Sequence, residues 1–173
     1  TRRRICLVKG NEMAPNKLKE VFQKLQTDGL NARLQERDET LLVWAASEGY
    51  PEIARALIAA GADLNRVNSM GNTALIRCSC EGRIDIAEAL IAAGADLNVR
   101  NEEGYTALIL AKRRGYEDIV SLLVRSGADR TLKTTGGLSV DTIATNGKKR
   151  LQGERDRELE TAIIHRISGL SIR

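Results

Sequence analysis

Between Gly71 and Glu103 the apolar residues fall into two short helical patterns separated by a glycine. Leu75, Ile76 and Cys78 give the first pattern one apolar side. Thr73 stands ahead of it as an N-cap, its hydroxyl able to accept from an orphan backbone N–H. Gly82 permits the left-handed conformation that ends a helix. Ile84, Ile86, Ala87, Ala89, Leu90 and Ile91 then fit a 3.6-residue period with a wide apolar face. Gly94 closes this second helix, and Asp96 and Asn98 suit the turn that follows. The predicted order is a turn, a short helix, a tight turn, a longer helix and a loop.

The same pattern occurs on both sides at an interval of 33 residues. Gly-Ala-Asp stands at 61–63, 94–96 and 127–129, and Gly49, Gly82 and Gly115 keep the same spacing. So do Gly71, Gly104 and Gly137, and Thr40, Thr73 and Thr106. In the preceding copy Thr40, Leu42, Ala45, Ile53, Ala54, Leu57 and Ile58 match position by position. In the following copy Thr106, Leu108, Ala111, Ile119, Val120, Leu123 and Val124 do so. A small residue recurs at Ala45, Cys78 and Ala111, where two helices and the next unit must meet closely. Three repeats follow, 38–70, 71–103 and 104–136.

This pattern resembles the ankyrin repeat family, whose period is 33 residues and whose first helix opens T-P-L-H-x-A. The motif reads Thr40-Leu41-Leu42-Val43-Trp44-Ala45, Thr73-Ala74-Leu75-Ile76-Arg77-Cys78 and Thr106-Ala107-Leu108-Ile109-Leu110-Ala111. The resemblance implies an all-α ankyrin repeat solenoid: helix–turn–helix repeats joined by β-turn or hairpin loops. Proline and histidine are missing from every copy. Val43, Ile76 and Ile109 replace the histidine that in the family ties neighbouring hairpins by hydrogen bonds, so here the ties are expected from packing.

The chain is expected to form a single repeat domain over 1–173, with degenerate ends acting as caps, since terminal repeats need a polar outer face. In the N-terminal cap, 1–37, a short helix is expected over Ile5–Val8. A second is expected over Asn16–Gln26, with Leu18, Val21, Phe22 and Leu25 on one side, ended by Asp28-Gly29. In the C-terminal cap, 137–173, a fourth repeat starts over Gly137–Ala144. Asp141 stands where leucine belongs, and Lys148 stands where the turn glycine belongs, with Gly147 one position early. A helix near 154–167 carries Leu159, Ala162, Ile163 and Ile167 on one face and is expected to cover the last repeat.

Composition narrows the function classes. The 173 residues are 42% hydrophobic and 29% charged, unlike a disordered chain, and only 3% aromatic, as suits small-residue helical repeats. No apolar run approaches a membrane span, and no stretch of the given sequence reads as a secretory h-region. A net charge of +4 is modest, and Arg2-Arg3-Arg4 and Lys148-Lys149-Arg150 lack interleaved aromatics, so no nucleic-acid partner is expected. Three cysteines, Cys6, Cys78 and Cys80, fit neither a disulfide framework nor a zinc spacing. Free thiols point to a reducing compartment, the cytoplasm or the nucleus. Cys78 takes a core position, and Cys80 is expected near the concave face, the better candidate for modification. His165, the only histidine, has no ligand or triad partner at usable spacing. The glycines form neither GxGxxG nor a P-loop. No metal, cofactor or enzyme activity is therefore expected.

The resemblance implies binding of a protein or peptide through loop tips and the concave face of the first helices, by a chain that is monomeric on its own. Mapped onto this sequence, the tips include Glu36, Arg37 and Glu39, then Ser69, Met70 and Asn72, then Glu102, Glu103 and Tyr105. Concave positions include Ser47, Glu48, Cys80, Glu81, Arg113 and Arg114, with Trp44 and Arg77 at the groove edge. Trp44, Met70 and Tyr105 are anchor-type side chains. The tips read as acidic and the Arg113–Arg114 patch as basic, which predicts a partner whose acidic group meets those arginines. One alternative, prompted by a first residue that is not methionine, is a recognition segment of a larger multidomain enzyme, channel or receptor. Another is a substrate for asparagine hydroxylation at Asn65 and Asn98, which the resemblance suggests.

Overall fold

The computed structural model describes residues 14–30, 32–34, 39–145 and 157–169. The expected helix over Ile5–Val8 lies outside these. Each of the three repeats forms a hairpin of two helices: α2 (Leu41–Glu48) and α3 (Pro51–Ala59), α4 (Ala74–Glu81) and α5 (Ile84–Ala92), α6 (Ala107–Arg114) and α7 (Glu117–Arg125). Thr40, Thr73 and Thr106 cap the first helices, their hydroxyls accepting from Val43, Ile76 and Ile109 N–H at 3.2–3.3 Å. Gly49, Gly82 and Gly115 end those helices at φ of 82°, 73° and 75°, a region glycine enters without Cβ strain. An added methyl at Gly71 would also stand 2.9 Å from the Glu102 nitrogen in the next tip, so position 71 is closed by close approach as well as by conformation.

The hairpins stack side by side. α4 packs between α2 and α6 in one row, and α5 lies beside α3 and α7 in a second. Leu42, Leu75 and Leu108 are buried between the rows, as are Ile53, Ile86 and Ile119. Ala45, Cys78 and Ala111 are inaccessible to solvent. Burial pushes the Cys78 thiol up to about 12, so it behaves as a small core residue.

The tips are tied by hydrogen bonds, not by packing alone. Asn65 Oδ1 accepts from the Asp96 N–H at 2.9 Å, and Asn98 Oδ1 from the Asp129 N–H at 2.8 Å. Asn101 Nδ2 donates to Asn72 Oδ1 at 2.9 Å. The Glu102 N–H reaches the Met70 carbonyl at 3.3 Å, and the Thr135 N–H reaches that of Glu103 at 3.0 Å. Asparagine amides and tip backbone thus supply the cross-repeat bonds expected to be missing with the family's histidine.

The ends depart from the internal pattern. At the N-terminal end α1 (Ala14–Thr27) extends beyond the expected Asn16–Gln26 and buries Val21 and Leu25; Gly29 follows at φ 78°. Strand β1 (Arg33–Leu34) then pairs antiparallel with β2 (Glu39–Thr40), Arg33 opposite Thr40. At the C-terminal end no fourth hairpin helix forms over 138–143, where Ser139 and Thr142 close a single turn. Asp141, in the leucine position, faces solvent and pairs with Arg130 at 3.0 Å. The final helix, α8 (Arg157–Ser168), packs mainly against α1 and α3, burying Ile163 and Ile167. It therefore covers the N-terminal end of the stack and not the last repeat. The apolar stripe of α8 is generic enough to suit either end, and the described part of the fourth repeat, 137–145, offers it no helix to lie against.

Candidate functional site

The first-helix row places residues 47, 80 and 113 in one file and 48, 81 and 114 in another, because each repeat presents the same helical position one unit further along. The first file reads Ser47, Cys80, Arg113 and the second Glu48, Glu81, Arg114. The charge therefore changes sign along the face, from exposed Glu48 to Arg113 and Arg114.

Arg113 is held in place by a neighbouring tip residue. Its Nη1 donates to the Tyr105 hydroxyl at 2.8 Å, and its guanidinium carbon lies 5.2 Å from the Tyr105 ring centroid. This combines a hydrogen bond with a cation–π contact and pre-orients the fork for a planar anionic group. Arg114 is exposed. Its guanidinium is shifted above the ordinary value, chiefly by Cys80 with help from Glu81 and against partial burial; like any arginine it is cationic at every working pH. Arg77 spans two repeats: Nη2 donates to Ser47 Oγ at 2.6 Å and lies 3.7 Å from a Glu81 carboxylate oxygen. Its Nε is buried without a partner among the described residues. Met70 is 39% exposed at the second tip, and Glu102 and Glu103 are exposed at the third.

Other expected contacts are not available to a partner. Trp44 is 3% exposed, its ring stacked on Tyr50 with centroids 5.0 Å apart. The indole joins the buried core, whereas Arg77 at the equivalent position is half-buried and tied to Ser47 and Glu81. Asn72 is 6% exposed and is spent on the bond to Asn101. Glu39 is buried in β2, so it supplies no acidic tip. Cys80 and Ser47 are buried too, which leaves Cys80 little access for modification. Glu36 and Arg37, with the basic runs at 2–4 and 148–150, lie outside the described residues. Sequence reasoning missed Ser47 as the partner of Arg77. A 30-residue separation carries no local signal, although it is close to the repeat length.

The comparisons with known proteins agree with the geometry. A family model described as ankyrin repeats in three copies matches residues 11–101, and a single ankyrin repeat model matches 103–135. No curated protein matches the chain. Among the described residues no helix is long and apolar enough to cross a membrane. Ankyrin repeats are in general protein–protein interaction modules and typically not enzymes. With its 33-residue beat, its paired rows of helices and both family models in register, this chain belongs to the ankyrin repeat family.

Proposed function

We propose that the chain is a non-enzymatic binding module, acting as an adaptor, inhibitor or targeting element, that grips a protein or peptide segment on its first-helix face. The observation that carries this is the pre-oriented Arg113 on Tyr105 beside Arg114, at the basic end of a face that begins at Glu48. A partner aligns with an acidic group toward Arg113 and Arg114 and a basic or neutral portion toward Glu48. Met70 and the aliphatic parts of the tips supply apolar contact, while Glu102 and Glu103 exclude acidic sequence from that edge. The free thiols of Cys78 and Cys80 support work in a reducing compartment, the cytoplasm or nucleus.

The test begins with affinity capture from the native cell extract. The recovered partner is then measured against Arg113→Glu/Arg114→Glu and Tyr105→Ala chains. Charge reversal is expected to weaken binding about tenfold or more, mainly through slower association, with the loss shrinking at high salt. Unchanged affinity in the double variant would overturn the proposal.

A further inference from the structure

We propose that the C-terminal end of the stack is a second docking site, separate from the first-helix face, which takes an amphipathic helix bearing carboxylates from a partner protein.

A cleft of about 640 Å³ lies there, between α6, α7 and the turn over 138–143. Leu108, Val120, Val124 and Val140 form its apolar part. In the two internal repeats the equivalent surface is covered by the next hairpin, so Ala54 and Ala87, at the position of Val120, are fully buried. Here the fourth repeat is interrupted at Asp141, and α8 is engaged at the other end of the array. Val124 is left 37% exposed. A terminal repeat ordinarily turns this face polar for solubility. This one keeps valines at 120 and 124, one helical turn apart, the ridge against which a further helix packs.

The rim carries the complementary chemistry. Position 112 is lysine where internal repeats bury Ala46 and Ser79. Arg125 and Arg130 line the cleft with it, so among the described residues three cations meet one lining carboxylate, that of Asp141. Lys112 and Arg130 pair with the exposed carboxylates of Glu117 and Asp141, surface pairs that a competing carboxylate exchanges at little cost. Among the described residues Arg125 donates to the Ser121 carbonyl of its own helix, at 3.3 Å, and forms no ion pair. An incoming helix with an apolar stripe on the valines and a carboxylate toward Arg125 would complete the stack as a fourth hairpin would have done.

The probes are two synthetic helical peptides with one leucine stripe, flanked by glutamates in the first and by lysines in the second. Each is titrated into the full isotope-labelled chain. The glutamate peptide is expected to shift amide resonances of α6, α7 and 138–143 and to bind about tenfold or more tighter than the lysine peptide. Val124→Asp and Arg125→Glu, both surface changes that leave the circular dichroism unaltered, remove that binding; Arg113→Glu/Arg114→Glu keeps it. Equal binding of both peptides, shifts confined to the first-helix face, or no shifts would each overturn the proposal. So would sedimentation showing a dimer that Val124→Asp breaks, because a second copy would then occupy the face. Because Arg113 and Arg114 are not part of this cleft, either site can fail without the other.

Discussion

Replacing Asn101 by alanine tests whether amides have taken over the tying of the repeats. Asn101 Oδ1 accepts from the Glu103 N–H at 3.1 Å and the Tyr105 N–H at 2.8 Å, and Nδ2 donates across the repeat boundary to Asn72 Oδ1 at 2.9 Å. The Glu103 N–H is exposed and regains water on truncation, so its bond is worth the low end of about 0.5–1.5 kcal/mol. The Tyr105 N–H is partly shielded and Asn72 Oδ1 belongs to a buried residue. Leaving such groups unpaired costs about 1–3 kcal/mol each. The Tyr105 N–H is only part-buried and the Asn101–Asn72 bond lies at a tip, so both penalties fall in the lower half of that range, and the expected loss for Asn101→Ala is about 2.5–4.5 kcal/mol, a large share of the stability of a short array. Urea unfolding followed by circular dichroism measures it, with an unchanged m-value as the check on two-state behaviour. The cross-repeat part is isolated by a double-mutant cycle with Asn72→Ala, expected to show coupling of about 0.5–1.5 kcal/mol. A loss below about 1 kcal/mol, or a cycle additive within about 0.3 kcal/mol, would refute the reasoning and return the tying of the tips to packing.

Two further outcomes are expected. The Cys78 thiol ionises near 9.0 when unfolded but only near about 12 in the fold. Above pH 9 the unfolded state therefore holds fewer protons, and this group alone lowers stability by about 1.4 kcal/mol per pH unit up to the folded value. Unfolding midpoints from pH 8 to 10.5 should consequently fall more steeply for the native chain than for Cys78→Ala, and parallel profiles would count against a buried protonated thiol. In α8, Ile163→Ala removes a fully buried side chain and should cost about 2–5 kcal/mol of local stability. Hydrogen exchange should quicken in α1 and α3 and stay slow in α7; quickening in α7 instead would place the helix on the last repeat.

Sequence alone determined what local chemistry decides. A threonine cap acts on an N–H three residues away, and a glycine at φ near 75° acts on its own turn, so Thr73 and Gly82 announce a helix's start and end without knowledge of anything distant. Repetition at 33 residues multiplied those local signals until the family and the paired helical rows were legible. Arg113 and Tyr105 were legible as surface residues for the same reason, being eight positions apart on one tip and helix. Tertiary structure decided which members of a repeated position face water. Trp44 and Arg77 are equivalent in sequence, but only the indole finds a ring to stack on and a core to fill. Asn72 reads as an ordinary polar tip until Asn101, 29 residues on, is folded against it. The end of the array that α8 covers was decided furthest from local chemistry. Its isoleucines can bury themselves on any apolar surface, and only the packed array presents α1 and α3 to them while leaving Val124 open at the other end.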